Sequence, residues 1–204
     1  MKNLNGVVII FLGLILFTAC GPRSAQKVMT NTFPVEQRKD PKVEYSFPED
    51  WLGIWSGTLE IYDKNGVTQS LEMGLEIEKT DSADVYDWTI IYGSDSTAQR
   101  REYQLMTIDT SKGHYMIDEK NGIFLDGYHM HNAFVSIFDV MGTTLVIAYE
   151  RKMEDMNFTV DVFPSKEIGI SGDTLINGQE IPEVKSFQYT GRQRAVLNKK
   201  CLVE

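Results

Sequence analysis

The stretch that decides the fold is Trp51 to Tyr62, which reads WLGIWSGTLEIY. From Gly53 onward, apolar or small residues alternate with polar ones, a period of two that is typical of a β-strand with one buried face. We expect the Trp55 indole to close one end of the interior, and Gly57 to leave room where the strand bends or another side chain crosses it. Residues 63–66, DKNG, then predict a hairpin turn.

The chain beyond this turn predicts a succession of antiparallel strands. Residues 67–78 alternate cleanly, and residues 85–93 place three aromatic side chains on one face. Further short runs are 103–108, 115–118, 123–130, 133–141, 143–150, 157–163 and 184–190. This spacing predicts an all-β fold, a single antiparallel up-and-down barrel of about ten strands. Apolar residues at helical spacing are absent beyond the N-terminal segment, which disfavours a parallel βαβ architecture.

The longest irregular segment of the predicted barrel is 169–182. Long loops in small domains often act as lids or binding loops. The favoured interpretation is a loop that contains a short hairpin around Asn177-Gly178, because these residues tolerate positive φ.

The N-terminus resembles a bacterial lipoprotein signal. Lys2 provides a positive charge, Val7–Phe17 is apolar but short for a membrane span of about 20 residues, and small residues precede Cys20. The resemblance implies that Cys20 is lipidated as the first residue of the mature protein. It also places the protein in the bacterial cell envelope, anchored to a membrane through this lipid. An ordinary membrane anchor, or a cleaved signal without lipid, is the alternative.

The sequence divides into a signal peptide (1–19), a flexible tether (20–50), a barrel (51–197) and a C-terminal tail (198–204). Four of the 6 prolines lie in the tether. Apolar tether residues that are candidates to dock near the end of the barrel are Phe33, Val43, Tyr45 and Phe47. Cys201 in the tail is expected to be an incidental free thiol, so no disulfide framework is predicted.

The composition of 42% hydrophobic and 24% charged residues fits one globular domain. The net charge of −9 repels a phosphate backbone, so nucleic acid is not an expected partner. We expect a monomer that contacts the membrane through its lipid.

The Gly53-x-Trp55-x-Gly57 motif after Trp51, followed by about ten antiparallel strands, resembles the calycin group of lipocalins, fatty-acid-binding proteins and their bacterial lipoprotein relatives. This resemblance implies a barrel whose interior holds a small, mostly hydrophobic ligand. The side chains predicted to line that interior are Trp55, Leu71, Met73, Trp88, Ile90, Tyr103, Phe138 and Tyr149. The alternative is a structural or protein-interaction lipoprotein with a filled barrel and an exposed apolar patch.

Few residues suggest chemistry. His129 and His131 would be two ligands of a metal site if Asp126, Asp139 or His114 converged on them, but we favour two solvated turn histidines. Haem binding, as in nitrobindin-like barrels, is a minor alternative. No cofactor or metal is predicted. No Gly-x-Ser-x-Gly elbow or Gly-rich phosphate loop occurs, so we do not expect an enzyme.

Overall fold

The structure is a computed structural model, and it describes residues 43–94 and 99–200. The predicted signal peptide, the predicted lipidation site Cys20, and Phe33 and Cys201 lie outside the described residues. The strands are β1 Gly53–Asp63, β2 Gly66–Lys79, β3 Val85–Tyr92, β4 Gln99–Asp109, β5 His114–Asp118, β6 Phe124–Met130, β7 Ala133–Val140, β8 Thr143–Lys152, β9 Asp155–Pro164, β10 Glu167–Ser171, β11 Thr174–Ile176, β12 Gln179–Ile181, β13 Val184–Phe187 and β14 Gly191–Lys199. Short 3₁₀ turns span Glu49–Trp51 and Thr110–Lys112. None of the described helical segments has the length and apolarity needed to cross a membrane.

Ten of these strands form a closed antiparallel barrel. Strands β1 to β9 are neighbours in chain order, and β14 closes the barrel between β9 and β1. Every neighbouring pair is antiparallel, as expected where short turns join consecutive strands. The predicted all-β, up-and-down, ten-strand barrel is therefore confirmed.

Alternation along each strand sends one set of side chains inward, where they form a single core. Trp55 and Leu59 of β1 pair with Leu75 and Leu71 of β2. Burial of each such apolar side chain contributes about 1.5–3 kcal/mol. Trp55 is completely buried within this core.

Gly57 makes room for a neighbouring backbone rather than for a side chain. A Cβ at this position would lie 2.1 Å from the carbonyl oxygen of Val196 in β14. The glycine is therefore needed at the seam where the last strand joins the first, because any side chain would push β14 away.

The prediction that residues 184–190 form a barrel strand is wrong. Only Val184–Phe187 is a strand there, and it pairs with β10 outside the barrel. The closing strand is Gly191–Lys199, which runs beyond the predicted barrel end at residue 197. Its inward face carries Gly191, Gln193, Ala195, Leu197 and Lys199. These include too few large apolar residues to be recognised from periodicity.

Residues 167–187, called the arm below, are an insertion between β9 and β14. Strands β10 and β13 pair as one two-stranded sheet, and β11 and β12 pair as another. The connection between β11 and β12 is Asn177-Gly178, with φ of 53° and 80°. The favoured hairpin interpretation of this segment is thus confirmed.

Candidate functional site

One end of the barrel is closed by residues 43–51, called the cap. Phe47 is the centre of the cap: its ring packs edge-on against Tyr115 at 4.8 Å and against Trp51 at 4.9 Å between centroids. It also stacks on Phe134 of β7 at 5.1 Å. Trp51 is fully buried below it. These contacts close this end with aromatic side chains, and they include Tyr45 and Phe47, two of the tether residues predicted to dock there.

Hydrogen bonds fix the cap to the β6–β7 turn and to β3 of the barrel. The Tyr45 N–H donates to Asn132 Oδ1 at 3.0 Å, and Asn132 Nδ2 donates to the carbonyl of Val43 at 2.6 Å. The Tyr86 hydroxyl donates to Glu49 Oε1 at 2.7 Å. Burial, assisted by this hydrogen bond, raises the pKa of Tyr86 to about 12, so the phenol remains a donor.

The two histidines differ, and the prediction of two solvated turn histidines is wrong for one of them. His131 lies in the β6–β7 turn with φ of 55° and is exposed. His129 lies on the inward face of β6, and its Nε2 is buried without a hydrogen-bond partner among the described residues. Burial lowers the pKa of His129, and the opposing effect of Glu44 is smaller. The described residues include no group of three His, Cys, Asp or Glu side chains placed to hold a metal.

The middle of the barrel is filled by aromatic rings. Tyr149 packs edge-on against Trp88 at 5.2 Å and lies 4.9 Å from Phe158. Trp88 also contacts Phe134 at 5.8 Å. Edge-to-face contacts of this kind add about 0.5–1.5 kcal/mol to the burial of the rings. The packed layer separates the capped end from the opposite end of the barrel.

The opposite end, called the open end, has inward-facing apolar side chains that are only partly buried. These side chains pack against the buried core. They are Leu71, Tyr92, Tyr103, Leu125, Leu145, Ile147 and Val162. At the capped end, Trp51, Trp55 and Leu197 are inaccessible, while Tyr45 and Leu52 are partly buried. An apolar ligand that entered this end would cover the remaining exposed surface of these side chains.

Polar groups also lie at the open end. Arg101 faces inward from β4, opposite Ile90, and its guanidinium carbon lies 5.1 Å from the Tyr92 ring centroid. Its positive charge also lowers the pKa values of Tyr103 and Tyr149, against the larger effect of burial. Burial is the main reason why the pKa values of all three phenols are raised, so they carry their protons at neutral pH. The open end therefore combines apolar walls with several hydrogen-bond donors.

The eight predicted lining residues fall into two groups. Five are buried core residues: Trp55, Met73, Trp88, Ile90 and Tyr149. Leu71 and Tyr103 lie at the open end. Phe138 is half-buried and pairs with Leu145, so it faces the same interior. Sequence reasoning missed Arg101 and did not select Leu145 and Ile147, although the alternation in residues 143–150 contained the signal for the last two.

A groove of about 400 Å³ lies on the outer surface, over β1 and β14. It is lined by Gly57, Thr58, Glu60, Arg194, Ala195, Val196 and Asn198. Most of these side chains point away from the interior, and none is a predicted lining residue. It is open to solvent on the outer face of the sheet, so it is distinct from the barrel interior, where the sequence predicts the ligand.

Comparisons with known proteins give likenesses in structure but none in sequence. No family profile matches the sequence, and no curated protein sequence matches it. Among solved structures, the chain is similar to the S-type phycobiliprotein lyase CPES from Guillardia theta, with a TM-score of 0.48 and 6% sequence identity, over 74% of this chain and 89% of the lyase chain. The fold assigned to this chain rests on its own strand pairing, and no residue role is transferred from the lyase.

Proposed function

We propose that this protein is a lipid-anchored, monomeric binding protein of the bacterial cell envelope, and that it holds a small, mostly hydrophobic ligand in the open end of its barrel. The observation that supports the ligand site is the difference between the two ends. The capped end is filled by buried aromatic side chains, whereas apolar inward-facing side chains at the open end are only partly buried. Covering them with an apolar ligand would contribute about 25 cal/mol per Å² of surface buried.

The ligand is proposed to carry at least one hydrogen-bond acceptor. Arg101 and the protonated phenols of Tyr92 and Tyr103 are donors on the inner wall. An apolar ligand without an acceptor would leave these groups covered and unpaired, which costs affinity. An amphipathic molecule with a polar end therefore fits the site better than a pure hydrocarbon.

Filling the open end should abolish binding. In a titration with cis-parinaric acid, an apolar fluorescent fatty acid, Leu71→Trp should raise the Kd at least tenfold because the indole occupies the ligand volume. Ser70→Trp is the matched control, since the exposed Ser70 is the preceding residue and points to the other face of β2. Equal effects of the two substitutions, or no probe binding by the wild type, would count against the site.

The membrane anchor has its own test. Cys20→Ser should release the protein from the membrane fraction and abolish incorporation of radiolabelled palmitate. Cys201→Ser is the control, because the chain has only 2 cysteines. Membrane retention of the Cys20→Ser protein, together with no label in the wild type, would refute the lipoprotein proposal.

The second candidate function, a protein-interaction lipoprotein, is favoured by the arm. Several of its apolar side chains are exposed, among them Ile168 at 66% and Leu175 at 67%. The outer surface of a monomer does not usually gather so many in one short insertion. Crosslinking in intact cells should then yield an adduct that Leu175→Ser with Ile176→Ser removes. An adduct that survives both substitutions would exclude the arm.

A further inference from the structure

Arg151 is a buried cation at the capped end, on the inward face of β8. Only 7% of its surface is exposed. Its guanidinium carbon lies 4.3 Å from the Tyr45 ring centroid and 4.9 Å from that of Trp55. Nε and Nη1 are buried and have no hydrogen-bond partner among the described residues. Aromatic faces attract a cation, but they provide no acceptor in the plane of the N–H groups.

A second cation lies against the same indole. The Lys199 ammonium is 5.2 Å from the Trp55 centroid. Burial lowers the pKa of Lys199, and the charge of Arg151 lowers it further, whereas Glu154 and Asp50 act in the opposite direction. The ammonium of Lys199 and the guanidinium of Arg151 therefore bring two positive charges together around the Trp55 ring.

Neither cation forms a salt bridge within the part of the chain that the structure describes. Asp50, one of the two nearby carboxylates, accepts the N–H of Ser46 at 2.7 Å. The backbone carbonyl of Glu154, not its side chain, accepts the N–H of Lys199. Burial of a charge is costly unless an opposite charge and acceptors accompany it.

We propose that Arg151 binds a phosphate group at the capped end, between the cap, β8 and β14, with Lys199 adding to the attraction. The planar guanidinium presents paired N–H donors that match two oxygens of a phosphate. Two neighbouring cations suit an anion of charge near −2 better than a carboxylate. This site lies on the other side of the aromatic layer from the open end, so it does not depend on the proposed ligand site.

Two sources can supply this chemistry, free phosphate and the headgroup of a phospholipid. The cap is the segment nearest to the proposed lipid anchor in sequence, so a membrane phosphate would be close. The test uses the full chain carrying Cys20→Ser, which removes the acyl attachment from the comparison. Thermal unfolding is measured in inorganic phosphate and in chloride at matched ionic strength.

Phosphate at about ten times its Kd should raise the Tm by about 3 °C through mass action. Arg151→Gln should abolish the rise, and Lys199→Gln should reduce it. Arg192→Gln should leave it unchanged, because Arg192 pairs with Asp161 on the outer surface at 2.7 Å. Should Arg151→Gln fail to fold, isothermal titration of the folded Lys199→Gln protein with phosphate should show a Kd raised at least threefold.

Flotation with phosphatidic acid vesicles, against phosphatidylcholine vesicles, distinguishes the sources. Capture by phosphatidic acid that free phosphate reverses would assign a lipid headgroup, and a Tm rise without capture would assign free phosphate. Equal Tm values in phosphate and chloride together with no capture would overturn the proposal. A Tm rise that Arg151→Gln retains would overturn it as well.

Discussion

The ring of Phe47 lies parallel to the ring of His129, with centroids 4.8 Å apart and an interplanar angle of 9°. This contact joins the cap, which precedes the first strand, to the inner face of β6. It places an imidazole where protonation is unfavourable. We therefore expect the attachment of the cap to depend on pH.

Stability should fall as the pH falls through the ordinary range of histidine. Burial lowers the pKa of His129 in the folded state, so the unfolded chain binds the proton first. The stability contribution is therefore complete above about pH 6.5 and is lost progressively below it. Urea unfolding between pH 8 and 5.5 should show a steeper loss for the wild type than for His129→Gln. His131→Gln, at the exposed turn, should keep the wild-type slope, and identical slopes for all three proteins would contradict the assignment.

Removing the central ring of the cap should destabilise the protein. Phe47 contacts Trp51, Tyr115, His129 and Phe134, and Phe47→Ala leaves a cavity among them. We expect a loss of about 3 kcal/mol in the free energy of unfolding. Phe124→Ala is the control, because Phe124 is 55% exposed on the outer surface. A loss below about 1 kcal/mol for Phe47→Ala would show that the cap is not part of the folded unit.

Gly127 should not tolerate a side chain. A Cβ there would lie 2.4 Å from Phe134 Cζ, so the ring occupies the space that any larger residue needs. Gly127→Ala should cost about 1–3 kcal/mol in urea unfolding because the ring must move within a packed core. Gly169 in the arm has no atom within 4 Å of its Cβ position, and Gly169→Ala should change stability by less than about 0.5 kcal/mol.

The tip of the arm should be dispensable for the barrel. Residues 174–181 form a two-stranded hairpin in which the structure shows no buried side chain. Replacing them with a two-residue turn should change the free energy of unfolding by less than about 0.5 kcal/mol. A large loss of stability would mean that the hairpin packs on the barrel in solution.

The sequence predicted the barrel because most strands alternate between apolar and polar residues. β2 and β3 are the clearest, since their apolar residues lie on the buried face of a pleated sheet. It could not predict β14, whose inward face is mostly small or polar. This strand is defined by pairing with β1 and β9, which are far away in sequence.

The candidate site was less predictable for a related reason. Arg101 and Arg151 occupy inward positions that a binary pattern assigns to apolar residues. Their burial depends on aromatic partners from other elements, such as Tyr92 and Tyr45. Half-buried and fully buried inward positions also look alike in sequence, so Trp55 and Leu71 were assigned the same role. Only the position along the barrel axis separates the core from the open end.

The central claim, that the open end holds a small hydrophobic ligand, is tested most directly by native mass spectrometry. The full chain carrying Cys20→Ser is purified without detergent and incubated with a lipid extract of the cells that produced it. We predict a complex whose mass exceeds that of the polypeptide by one small molecule, and we predict that Leu71→Trp lacks the added mass while Ser70→Trp retains it. The account would be contradicted if the protein carrying only Cys20→Ser showed the mass of the bare polypeptide both before and after incubation.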